Sequence, residues 1–172
     1  MINDLLKYGF NFIVLVIIQI LIINNIPISP YINPFIYISF IITLPIIIPG
    51  WILLLLGFIL GLVIDISCST PGMHTSATLS MAFIRPYLLS SIIPRDDYQP
   101  NAQPAPDTFG LAWFIKYAII MVLVHHIFLF FIEEFSFQSF FATILKIILS
   151  SLFSLLLIMI VQMFKFNQSK VR

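Results

Sequence analysis

The sequence predicts an all-α integral membrane protein, a bundle of about six transmembrane helices. Three observations predict it. Apolar residues make up 60% of the 172 and charged residues only 9%, where a soluble domain carries roughly 25% charge. Apolar runs of membrane-spanning length recur along the chain, separated by prolines and short polar turns. Eight Lys and Arg and seven Asp and Glu are too few to coat a globule, so lipid is the expected solvent for most of the surface. The net charge of +1 offers no broad basic patch, which excludes nucleic acid as an expected partner. The single cysteine, Cys68, excludes an intrachain disulfide.

A span needs about 20 mostly apolar residues. The first is expected at about 9–26, ending at Asn24, Asn25 and Pro27. No small-residue cleavage site follows this run, so it reads as a retained span and not a leader. Prolines 27, 30 and 34 then mark a turn or extended piece. The apolar stretch 35–64 is too long for one untilted span. Pro45, Pro49 and Gly50 divide it, giving spans at about 32–48 and 51–66, both short enough for local thinning or a re-entrant hairpin. The polar turn SCSTPG (67–72) leads into a fourth span at about 73–93. Residues 94–108, PRDDYQPNAQPAPDT, form a proline-rich loop read as exposed. The fifth and sixth spans are expected at about 109–132 and 139–164, joined by a short acidic turn at 133–138.

Six crossings place both termini and the 94–108 loop on one side. That side collects Lys7, Arg95, Lys165, Lys170 and Arg172, with Arg85 and Lys116 within reach by snorkelling. The opposite side has Lys146, Glu133 and Glu134. The positive-inside rule therefore makes the termini and the loop cytoplasmic.

Charges and histidines inside a bilayer are costly and mark structural pairing or function. Gly57, Gly61 and Asp65 recur at every fourth residue and share one helix face, where small residues admit a close neighbour. Asp65 either caps the following Ser/Thr turn by accepting backbone N–H bonds or serves a ligand, proton or partner. His74 lies near its depth across the turn, which makes an Asp65–His74 contact reasonable. Arg85, followed by the helix-breaking Pro86, is expected to snorkel to the inner headgroups. His125 and His126 are adjacent, not four apart as on a zinc-binding helix, so no metal site is expected. They are read as interhelix hydrogen-bonding groups, with Glu133 or Glu134 as partners, and Lys146 is expected to pair with the same glutamates. No nucleophile elbow or phosphate loop is present. With nothing assembling a nucleophile, base and orienter, the expectation is a protein that is not an enzyme and has no cofactor.

The segment LLGFILGLVIDISCSTPGMHTSATLSMAFIRPYLL resembles the central signature of the MreD family: a glycine-spaced helix, an aspartate, a Ser/Thr turn, a glycine and an apolar helix. PRDDY (94–98), WFIKYA (113–118), HH (125–126) and EEFSF (133–137) resemble the Bacteroidetes branch of that family. The resemblance covers about residues 51–164. It implies a fold similar to the six-helix substrate-binding subunits of vitamin (ECF-type) transporters. It also implies a non-catalytic inner-membrane scaffold beside MreC, in a complex with RodA, a penicillin-binding transpeptidase and MreB that directs lateral peptidoglycan synthesis and rod shape. Gly57, Gly61, Asp65, Pro71, Gly72, His74, Arg85 and Pro86 are then expected in helix packing or partner contact, and Arg95, Asp96 and Asp97 in contacts of the cytoplasmic loop. The alternative is a small-molecule-binding subunit of a transporter. Such a subunit needs a polar site at mid-depth, and a midplane expected to be nearly all Ile, Leu and Phe favours the scaffold.

Overall fold

The structure, a computed structural model, describes residues 2–26, 29–93, 102–134 and 140–170, without the side chains of 2–5 and 165–170. These residues form α1 (Ile2–Leu21), α2 (Ser39–Ile42), α3 (Gly50–Cys68), α4 (Met73–Ile92), α5 (Pro106–Phe109), α6 (Leu111–Glu134) and α7 (Phe140–Lys170). A 3-10 turn, Ile23–Asn25, follows α1.

Four stretches are long and apolar enough to cross a membrane: Leu6–Asn25, Gly50–Cys68, Leu111–Glu134 and Phe140–Phe164. The protein is a multi-pass membrane protein. α4 is of similar length, 20 residues, but carries His74, Thr75, Thr78 and Arg85 on its buried face. It packs between α3 and α6, so its polar groups face protein on both sides.

The span expected at 32–48 is not a long helix, and this corrects the count of six spanning helices. Only Ser39–Ile42 is helical there. Prolines 30, 34, 45 and 49 remove donors and bias the residues before them away from helix. The segment still runs the length of the bundle. Pro34 and Ile36 bond Gln19 near the end of α1, Leu44 and Pro45 bond Arg85 deep in α4, and Pro49 caps the start of α3. Every residue from Phe35 to Leu44 is buried. Irregular backbone at membrane depth is tolerated only inside protein, and here four long helices surround it.

α3 and α4 make a tight antiparallel hairpin. Pro49 is the N-cap residue of α3, where its missing N–H has no intrahelical role. Ser69, with φ 57°, ends it, its amide and that of Thr70 turning back to the Asp65 carbonyl. The glycine face meets α4 of the same chain. A Cβ on Gly57 would lie 3.0 Å from Ala82 Cβ and 3.2 Å from the Thr78 carbonyl oxygen. A Cβ on Gly61 would overlap the Thr75 backbone and the Thr78 hydroxyl.

The loop expected to be exposed at 94–108 is folded onto the bundle in its described part. Pro104 and Pro106 are buried, the Ala102 carbonyl accepts the Ile46 amide at 3.0 Å, and Gln103 donates to the Tyr8 hydroxyl at 2.6 Å. Sequence polarity missed this because it does not show that the irregular segment at 33–49 leaves an amide, that of Ile46, for the loop backbone to meet. Arg95, Asp96 and Asp97 lie outside the described residues.

Candidate functional site

Many of the buried polar side chains of this bundle collect along the irregular 33–49 segment. A helix satisfies its own backbone, but outside the short α2 turn residues 33–49 do not, so N–H and C=O groups on either side of that turn are met from other elements. α7 contributes two serines one turn apart: Ser150 Oγ accepts the Asn33 amide at 2.9 Å, and Ser154 Oγ accepts the Phe35 amide at 2.8 Å. From α1, Gln19 uses both ends of its amide, Oε1 accepting the Ile36 amide at 2.8 Å and Nε2 donating to the Pro34 carbonyl at 3.2 Å. Further along, the Tyr117 hydroxyl of α6 donates to the Ile42 carbonyl at 3.1 Å. Arg85 of α4 donates from Nη2 to the Leu44 and Pro45 carbonyls and from Nε to the Tyr117 hydroxyl at 3.1 Å.

Arg85 is thus completely buried, and the expectation that it snorkels is corrected. The carbonyls of Leu44 and Pro45, freed by the break in helix, hold it inside. Lys116, expected at the same level, is exposed. Pro86, next to Arg85, is exposed on α4 and has no N–H to give the Ala82 carbonyl.

Asp65 sits at the far end. It accepts hydrogen bonds from Thr70 Oγ1 at 3.0 Å, the His74 amide at 2.9 Å, the Thr75 amide at 2.9 Å and Thr75 Oγ1 at 2.6 Å. Two of these donors are first-turn amides of α4, which no intrahelical carbonyl can reach. Asp65 therefore caps α4 from the preceding helix, in the place where Gly72 has no side chain to do so. Its negative charge also faces the positive end of the α4 dipole. Pro71 and Gly72 are exposed, and Gly72 occupies the turn with φ 83°.

The Asp65–His74 contact runs through the His74 backbone, not its ring. The ring turns inward, and its Nδ1 lies 2.8 Å from the Tyr37 hydroxyl. The same hydroxyl lies 2.7 Å from His125 Nε2. One hydroxyl between two ring nitrogens donates to one and accepts from the other, so the two histidine tautomers are coupled. His126 takes a separate path, with Nδ1 2.8 Å from the Val122 carbonyl and Nε2 3.0 Å from Ser154 Oγ. The Phe35 ring packs among His74, His125, His126 and Phe130. Neither histidine meets Glu133 or Glu134, because the inward face of α6 carries them toward Tyr37 and Ser154. Lys146 pairs with Glu133 at 2.9 Å and stands over the Phe130 ring at 4.7 Å.

The expected apolar interior is corrected by this arrangement: Gln19, Tyr37, His74, Arg85, His125, His126, Ser150 and Ser154 are all interior. Sequence reading singled out Asp65, His74, Arg85 and the two histidines but missed Gln19, Tyr37, Tyr117, Ser150 and Ser154. Ser150 and Ser154 were detectable as hydroxyls four apart on one face of an apolar helix. Tyr37 carried no signal, since an aromatic in an apolar run is ordinary. Groups of three or more His, Cys, Asp and Glu able to hold a metal do not occur among the described residues. Comparison with protein-family models, curated proteins and solved structures finds no match to the chain.

Proposed function

We propose that the protein is a non-catalytic scaffold subunit of the MreD type in the bacterial inner membrane, with both termini cytoplasmic. In this reading it holds MreC, and through MreC the RodA, transpeptidase and MreB components that build lateral peptidoglycan. The observation that carries the proposal is the α3–α4 hairpin. The residues that resemble the MreD signature are the ones that pack or cap this hairpin, with Gly57 and Gly61 against Thr75, Thr78 and Ala82 and Asp65 on the first turn of α4. A signature used for rigid packing suits a scaffold. The exposed apolar rows of α3, such as Leu55, Phe58, Leu62 and Ile66, then remain for lipid or a partner's transmembrane helix.

The test is depletion of the protein with cell-shape imaging, together with pull-down of the tagged chain from mild detergent. Rounded cells and co-purified MreC are the expected result. Normal rods, with no single-span partner recovered, would reject the proposal.

A specific observation favours a second reading, a small-molecule-binding subunit of a transporter. Broken spans and interior polar groups are what such subunits use, and Tyr37, His74 and His125 meet on a broken crossing. Ligand-dependent thermal stabilisation in cells that keep their shape would favour it over the scaffold.

A further inference from the structure

Arg85 is a fully buried cation whose observed hydrogen-bond partners are neutral. Its Nε and Nη2 atoms are held by Tyr117, Leu44 and Pro45, while its Nη1 is buried without a hydrogen-bond partner among the described residues. Carbonyl oxygens satisfy hydrogen bonds but do not neutralise a guanidinium. A buried charge that finds, among the described residues, neither counter-charge nor full hydrogen bonding is strongly unfavourable, the more so in a membrane bundle.

The surroundings point to the counter-charge. Arg85 lies seven residues from the last residue of α4, about 10 Å from that end of the helix. The same end carries Tyr8, Trp51, Tyr87 and Trp113, with Trp113 Nε1 on the Ile92 carbonyl at 3.2 Å. Trp and Tyr collect where headgroups begin. Lys7 and Lys116 are exposed at this end, against Asp107 as the exposed acid among the described side chains. The cover over Arg85 is the 44–49 stretch, in which Pro45 is only partly buried and Ile47 is 53% exposed. Before Pro49 this stretch has no helical hydrogen bonds to break, and its Ile46 amide is held by the Ala102 carbonyl.

We propose that Arg85 is the seat of a net-anionic phosphate group, which reaches Nη1 from this end of the bundle. Nη1 carries two N–H donors of a charged group, which phosphate oxygens accept strongly, and basic pockets between membrane helices take anionic headgroups. The group is supplied either by an anionic phospholipid or by free phosphate. The site does not depend on the role in cell elongation.

The experiment uses the full-length protein in nonionic detergent. Its thermal midpoint is titrated with short-chain phosphatidylglycerol, short-chain phosphatidylcholine and inorganic phosphate, and retained lipid is read by native mass spectrometry. Phosphatidylglycerol is expected to bind about tenfold tighter than phosphatidylcholine. Arg85→Gln should abolish that preference, Arg85→Lys should weaken it, since the Tyr117, Leu44 and Pro45 oxygens take all three ammonium donors, and Lys116→Gln should change it less than Arg85→Gln does. An Arg85-dependent response to phosphatidylglycerol alone identifies a lipid, and an equal response to inorganic phosphate identifies the free anion. Wild-type protein that fails to distinguish the three additives overturns the proposal, a result that needs no variant to fold. So does an Arg85→Gln protein that folds and keeps the wild-type preference.

Discussion

Thr75 gives both its amide, at 2.9 Å, and its hydroxyl, at 2.6 Å, to the same oxygen of Asp65. With the His74 amide and Thr70 hydroxyl on the other oxygen, the carboxylate closes the α3–α4 turn as an acceptor-only group. Asp65→Asn replaces one oxygen by a donor, which faces either the Thr75 pair or the Thr70 and His74 pair. Two donors then lose their acceptor, and the α4 dipole loses its anion. The expected loss is about 2–4 kcal/mol, read as a lower thermal midpoint in detergent. A stability equal to wild type would remove the capping role.

The glycine face gives an ordered pair of outcomes. A methyl on Gly61 meets backbone and the Thr78 hydroxyl, which itself donates to the Gly57 carbonyl at 2.8 Å. A methyl on Gly57 meets the Ala82 methyl at 3.0 Å. Gly61→Ala should therefore destabilise more than Gly57→Ala, each within about 1–3 kcal/mol, and Gly61→Leu should separate the helices. Melting curves of the three variants at equal expression rank them. Gly57→Ala proving the worse of the two would contradict the packing described.

The glycines and Asp65 were legible in the sequence because a helix displays a four-residue spacing directly. The irregular 33–49 segment was not. Its apolar content, Ile36 to Ile48, matches a buried strand, a short helix or a span equally well, and periodicity cannot arbitrate among them. The prolines at 34, 45 and 49 signalled a break but not where the backbone would find partners. Those partners, Gln19, Arg85, Tyr117, Ser150 and Ser154, lie in four different helices. Arg85 was misplaced for the same reason: two free carbonyls in the interior compete with the headgroups for a long cation, and no single helix shows them.

The two neighbouring serines of α7 separate partnered from unpartnered hydroxyls in one helix. Ser154 accepts the Phe35 amide and meets His126 Nε2, whereas Ser151 Oγ is buried with no hydrogen-bond partner among the described residues. Ser154→Ala strands a buried amide and should cost about 1–3 kcal/mol. Ser151→Ala should be neutral or slightly stabilising, because it removes an unsatisfied polar group. Hydrogen exchange supplies the specific readout, since only the Ser154 variant should speed exchange of the Phe35 amide. Equal melting of the two variants, with Phe35 equally protected, would refute the assignment of Ser154 as a backbone anchor.

Tyr37 tests whether the histidines form a coupled unit. Its hydroxyl is 2.8 Å from His74 Nδ1 and 2.7 Å from His125 Nε2, and all three residues are buried. Tyr37→Phe keeps the ring against Phe35 and removes only the bridge, leaving two buried nitrogens without partners. A loss of about 1–3 kcal/mol is expected. The sharper measurement is a double-mutant cycle with His125→Phe. Once His125 is gone, half of what the hydroxyl does is already lost, so the effect of Tyr37→Phe should shrink. A coupling of about 0.5–3 kcal/mol is expected for residues sharing one network. Strict additivity would mean that the hydroxyl and His125 act separately. The coupling must also disappear when His125→Phe is replaced by a substitution at Lys146, which shares no hydrogen bond with Tyr37 and pairs instead with Glu133.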